Sequence, residues 1–150
     1  MIIPDVNLLL YAYDSTSAFH SKASIWWQNC LSAKEPIGIP QVTIFAFMRI
    51  STNPRAFQNP FTPPEAATHI RSWLKQPQVQ ILEPGPGHIE ETLQLLEHIG
   101  TGGNLVTYAQ MAALAIEYEA VLNTTDTDFA RFPKLRWRNP LTETSSRPRS

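Results

Sequence analysis

The chain opens on an apolar run that ends in an acid, Met1-Ile2-Ile3-Pro4-Asp5-Val6-Asn7. A second such run lies near the other end, Val121-Leu122-Asn123-Thr124-Thr125-Asp126-Thr127-Asp128-Phe129. Two short apolar strands that each run out into Asp can bring carboxylates together at one edge of a parallel sheet. That edge, outside the carboxyl ends of the strands, is where open α/β folds bind ligands. Carboxylates grouped without Cys or His suit a hard, oxygen-preferring cation such as Mg²⁺ or Mn²⁺. The chemistry of such a site is metal-assisted attack of water on a phosphodiester.

The stretch between the two runs alternates short apolar segments with longer helical patterns. Strands are expected at Met1–Asp5, Ile37–Pro40, Val79–Leu82 and Ala120–Asn123, with Leu135–Trp137 as a last, edge strand. Helices are expected over Leu8–Tyr13, with Asn7 helping to begin it, over Phe19–Ala33, and over Gln41–Ser51. Another runs from Thr62 to about Gln76, opened by Pro63-Pro64 with Glu65 in its first turn. Two more cover His88–Ile99 and Leu105–Tyr118, separated by the turn Gly100-Thr101-Gly102-Gly103-Asn104. Strands alternating with helices of this length imply a parallel sheet with helices on both faces. The expected division is one domain over 1–140 and a polar, disordered tail over 141–150.

With 150 residues, 43% of them hydrophobic, the chain fits one domain able to bury a substantial core. Its net charge of −1 neither announces nor excludes nucleic-acid binding, so any such contact must come from a local patch. The densest basic stretch is Arg131, Lys134, Arg136 and Arg138, just past Asp126, and the first three are the candidates for phosphate contact. The single cysteine, Cys30, cannot form an internal disulfide or a thiolate zinc site. With no positive n-region before the interrupted apolar start and no membrane-length apolar stretch, a cytoplasmic location is expected.

Five segments in register resemble the PIN domain, and within it the VapC-type ribonuclease toxins of bacterial toxin–antitoxin pairs. They are Asp5-Val6-Asn7, Arg49-Ile50-Ser51-Thr52-Asn53-Pro54-Arg55, Gly102-Gly103-Asn104-Leu105-Val106-Thr107, Ala112-Ala113-Leu114-Ala115 and Asp126-Thr127-Asp128-Phe129-Ala130-Arg131-Phe132. The resemblance implies a PIN-like three-layer α/β/α sandwich around a mostly parallel sheet. It also implies an acid cluster holding Mg²⁺ or Mn²⁺ for RNA cleavage, a homodimer, and a cognate antitoxin whose tail occupies the acidic groove. Carried over by position, Asp5 and Asp126 would be metal ligands and Asp128 a neighbouring catalytic acid, with Asn7, Asn104 and Thr125 in supporting places.

Two positions depart from the family pattern. Its second acid falls near Ala46, and no Asp or Glu occurs between Glu35 and Glu65. Where the family has Asp opening the helix that contains Ala112-Ala113-Leu114-Ala115, this chain has Tyr108. A phenol with a reference pKa of about 10 is a poor Mg²⁺ ligand at neutral pH. The acid cluster therefore shrinks to Asp5, Asp126 and Asp128. A weakened or inactive nuclease is one consequence; a non-catalytic module that binds antitoxin or RNA without cutting is the other.

Structural roles compete with several of these assignments. Asp128 could cap the turn Phe129–Phe132 as well as ligate; Asn7 and Thr125 could serve as a helix cap and a strand-end hydrogen bonder; Asn104 could simply close a Gly-rich turn. Trp26, Trp27 and Trp73 fit a core or a dimer surface better than base stacking.

Overall fold

Ile2 and Ile3, side by side in the first strand, point to opposite faces of the sheet and enter two separate cores. In the computed structural model, which describes residues 1–142 together with Thr144 and Ser145, β1 (Ile2–Pro4) is flanked by β2 (Ile37–Pro40) and β4 (Val121–Asn123), both parallel to it. The sheet continues through β3 (Val79–Leu82) beyond β2 and β5 (Trp137–Asn139) beyond β4, also parallel. Thr144–Ser145, β6, pairs antiparallel with β5, giving the order β3-β2-β1-β4-β5-β6. Of the expected tail, residues 143 and 146–150 lie outside the described residues.

Four helices cover one face: α1 (Val6–Tyr13), α2 (His20–Ser32), α3 (Gln41–Ser51) and α4 (Pro63–Leu74). Their core is aromatic. Trp27 meets Trp73 edge-on at 5.7 Å, Phe47 lies 4.8 Å from Trp73, and the Trp73 indole N–H donates to the Tyr13 hydroxyl at 2.7 Å. Trp27 and Trp73 are thus core residues, while Trp26 is partly buried against them. On the other face lie α5 (His88–Ile99) and α6 (Leu105–Glu117), with the small residues Ala109, Ala112, Ala113 and Ala115 letting α6 approach the sheet closely. The arrangement is the expected α/β/α sandwich.

Local chemistry sets most element boundaries. Thr62 and Glu65 form a reciprocal capping box at the start of α4, with Pro63 and Pro64 in the first turn. Gly100, at φ 73°, ends α5 in the left-handed conformation that glycine adopts without steric cost. Helix α1 starts two residues earlier than expected because Asp5, rather than Asn7, caps it. The last parallel strand also begins later than the expected Leu135. Leu135 N–H closes a turn onto the Phe132 carbonyl at 3.1 Å, and the ladder with β4 starts only at Trp137. β6 lies outside it, so β5 is not the edge.

Sheet order reverses between β1 and β4: the chain builds outward through β2 and β3, then returns to the other side of β1. The carboxyl ends of those two strands form the topological switch point of the fold.

Candidate active site

β1 and β4 deliver their carboxyl ends side by side, with Pro4 opposite Asn123 in the parallel register. The Asp5 amide extends that pairing by donating to the Asn123 carbonyl at 2.8 Å. Asp5 and Thr124 are thereby brought together. The Thr124 hydroxyl donates to Asp5 Oδ2 at 2.8 Å and accepts from the Asp126 amide at 3.0 Å. Thr124 is fully buried, and its own amide donates to the Arg138 carbonyl at 2.9 Å, so β5 fixes it from the far side.

Asp5 Oδ1 accepts from the Val6 amide at 2.8 Å, so this candidate site acid is also the cap of α1. Asp126 Oδ1 accepts from the Asp128 amide at 3.0 Å and caps the 3-10 turn Thr127–Arg131. The Tyr108 hydroxyl, from the first turn of α6, donates to Asp126 Oδ2. Asp5, Thr124, Asp126 and Tyr108 therefore form one continuous hydrogen-bonded row across the switch point.

Burial pushes the Asp5 carboxyl above its ordinary value; hydrogen bonds from Thr124 and Val6 oppose this, and the negative charge of Asp126 adds to it. The Tyr108 phenol is pushed up to about 12, first by its hydrogen bond to Asp126, then by burial and the charges of Asp126, Asp128 and Asp5. It remains a neutral donor at physiological pH.

A cavity of about 610 Å³ opens beside Asp5, lined among others by Pro40, Gln41, Phe45, Ala46, Glu83 and His88. Ala46, near which the resemblance would place a second acid, lines this cavity. Among the described residues, no three or more His, Cys, Asp or Glu side chains are grouped so as to hold a metal ion. Two carboxylates alone still fit a cation of the Mg²⁺ type, which keeps several waters and is completed by substrate phosphates. Asp5, whose anion is disfavoured chiefly by burial and further by the charge of Asp126, would gain from such a cation.

The other candidate residues take varied places. Asp128 is exposed and faces Arg131 at 3.6 Å; Asp126, not Asp128, caps the turn. Asn7 lies within the first turn of α1 and Thr125 is half-buried between Thr124 and Asp126. Asn104 is exposed at the start of α6 and makes no side-chain cap there. Lys134 is exposed beyond the 3-10 turn. Arg136 donates to the Glu119 carbonyl, which precedes β4, and so stands at the opposite end of that strand from Asp126.

Thr124 is the residue that sequence reasoning missed, naming Thr125 instead. The signal was available in the pairing. Once β1 and β4 are aligned in parallel through their apolar residues, Asp5 falls opposite Thr124.

The PIN domain family model matches residues 2–135. Ribonuclease VapC33 of Mycobacterium tuberculosis is 43% identical over 143 residues, covering 95% of this chain and all of the relative. The chain belongs to the PIN-domain family, in its VapC ribonuclease branch. Solved VapC-type structures share the fold. VapBC2 from Rickettsia felis, bound to a DNA fragment from its promoter, matches with a TM-score of 0.67 at 17% identity, over 93% of this chain and 98% of that one. VapC20 of Mycobacterium tuberculosis, a Sarcin-Ricin loop cleaving toxin, matches with a TM-score of 0.62 at 17% identity, over 87% and 93%. Among the described residues no helix of this PIN-domain chain is long and apolar enough to cross a membrane.

Proposed function

We propose that this PIN-domain chain is a Mg²⁺- or Mn²⁺-dependent endoribonuclease toxin of a VapBC-type pair, with its activity weakened by Tyr108. The observation that carries the reading is the Asp5–Thr124–Asp126 link, which holds two carboxylates at the switch point of the sheet. Asp5 and Asp126 hold the cation, and Asp128 adds negative charge beside them. When bound, a divalent ion supplies charge neutralisation at the phosphate and acidifies water. This chain's own groups do the rest. Thr124 orients the two acids, and Asn7, Asn104 and Thr125 flank them. Arg131, which faces Asp128, and Lys134 follow Asp126 and would meet the RNA backbone, while the guanidinium of Arg136 is engaged by the Glu119 carbonyl.

The partners are a cognate antitoxin, the RNA substrate and a second copy of the chain, acting in the cytoplasm. Antitoxin binding draws support from likeness in fold to a VapBC complex. Homodimerisation draws support from apolar side chains left in solvent, Phe45 at 67% and Ile89 at 74% exposure.

One observation favours a second reading, a PIN fold that binds antitoxin or RNA without cutting: the Tyr108 hydroxyl already occupies Asp126 Oδ2. RNA cleavage with Mg²⁺ or Mn²⁺, with and without EDTA, separates the two. The nuclease reading predicts EDTA-sensitive cleavage that rises in Tyr108→Asp. A Tyr108→Asp protein that neither cleaves RNA nor arrests growth leaves the binding module.

A further inference from the structure

Four carboxylate oxygens face the switch point, and each accepts one hydrogen bond in the structure. Three of the donors are fixed by the fold: the Val6 amide in the first turn of α1, the Asp128 amide in the 3-10 turn, and the buried Thr124 hydroxyl between β1 and β5. None can withdraw without unmaking a local element. Donors of this kind orient ligand carboxylates in metal sites rather than compete with the cation.

The fourth donor differs. The Tyr108 hydroxyl reaches Asp126 Oδ2 from a half-exposed side chain on the first turn of α6, its ring lying 4.9 Å from that of Phe129. Asp126 Oδ1 caps the 3-10 turn through a backbone amide, so Oδ2 is the one site oxygen whose donor lies on a movable side chain. A neutral phenol can swing away on its χ1 without cost to any backbone hydrogen bond.

We propose that Tyr108 is a latch on cation entry, its hydroxyl having to leave Asp126 Oδ2 before Asp5 and Asp126 can take a divalent ion together. The proposal rests on the reading of Asp5 and Asp126 as the metal ligands. The latch makes the site bind cations more weakly than its carboxylates alone would. A hydrogen bond to an ionised acceptor corresponds to about tenfold to hundredfold in an equilibrium constant. That is the range by which removing the hydroxyl tightens binding.

The test is Mn²⁺ binding followed by electron paramagnetic resonance on the whole chain, without RNA, for the protein and for Tyr108→Phe, Tyr108→Ala and Asp5→Asn. Tyr108→Phe removes the hydroxyl and keeps the ring; Tyr108→Ala removes both. The latch predicts a Kd about tenfold or more lower in Tyr108→Phe than in the parent, at least as low in Tyr108→Ala, and binding lost in Asp5→Asn. In addition, ¹³Cζ-labelled tyrosine should show one resonance moving toward that of a free phenol as Mg²⁺ is added. Equal Kd values in the parent, Tyr108→Phe and Tyr108→Ala, with loss in Asp5→Asn, would overturn the latch and leave the metal site standing. Absence of binding in all four proteins would overturn both.

Discussion

The Thr124 hydroxyl donates to Asp5 Oδ2 at 2.8 Å across 119 positions of sequence. The Thr124 hydroxyl also accepts from the Asp126 amide at 3.0 Å, so one buried threonine sets the spacing of both candidate acids. Replacing it with valine keeps the shape and removes both bonds. Thr124→Val should cost about 1–3 kcal/mol in urea unfolding, because Asp5 and the Asp126 amide lose a partner in a low-dielectric setting. Cation binding should fall with it. Thr124→Ser, which retains the hydroxyl, should recover most of the cation affinity, and a serine variant no better than valine would show that packing rather than the hydrogen bonds is at stake.

Gly38 sits in β2 with strands on both sides, and a Cβ there would stand 2.4 Å from Leu82 Cδ1 and 2.8 Å from Met1 Sδ. Leu82 is fully buried and cannot withdraw freely, whereas the Met1 thioether can. Gly38→Ala should therefore destabilise by about 1–3 kcal/mol, the usual cost of overpacking a core. The urea midpoint should fall with an unchanged slope.

His69 lies between the rings of Tyr13, at 4.5 Å, and Phe61, at 4.9 Å. Burial holds its imidazole below the ordinary value of 6.5, against the pull of Glu65 one turn earlier. The unfolded chain thus takes up this proton first as the solution is acidified. Stability contributed by neutral His69 is complete above pH 6.5 and is lost as pH falls through the interval between 6.5 and the lower folded value. Because the ring is partly solvated, the effect is discounted to a shift in Tm of about 1–2 °C between pH 7.5 and pH 5. His69→Phe should lack that component, measured as the difference between the two melting profiles.

Glu119 adopts φ 52°, a left-handed conformation, at the turn between α6 and β4, and the Arg136 guanidinium donates to its carbonyl. A non-glycine residue is strained there. Glu119→Gly should raise stability by up to about 1 kcal/mol, since the strain relieved exceeds the added freedom of the unfolded chain. Arg136→Met should lower it by about 1–2 kcal/mol through the lost charge-assisted hydrogen bond. Chemical denaturation of the two single variants checks both signs.

The layers of this fold were legible because its apolar runs are short, bounded by Pro, Gly or Asp, and separated by helical patterns long enough for parallel crossovers. The start of α4 could be read from Thr62, Pro63, Pro64 and Glu65 alone, since that capping box is local chemistry. Solvent exposure was less legible. Ile25 and Ile89 continue apolar stripes on their helices yet are 62% and 74% exposed, because a helical pattern marks a stripe but not how far the sheet beneath it extends. The start of β5 was displaced because Leu135 is buried within a turn, where burial mimics a strand. In the site, Asp5 and Asp126 stood out as acids ending apolar runs. Thr124 did not, because its role depends on register between strands far apart in sequence. Tyr108 was visible as an anomaly, but its bond to Asp126 depends on the approach of α6 to the 3-10 turn, which no single segment encodes.

Calorimetric titration with Mn²⁺ of the protein and of Asp5→Asn, with RNA cleavage assayed on the same samples, tests the metal site most directly. Binding and cleavage that are both present in the parent, and both absent in a folded Asp5→Asn protein, are the predicted result. Cleavage that persists undiminished in Asp5→Asn or in EDTA would contradict the assignment of Asp5 and Asp126 as the metal site of a ribonuclease.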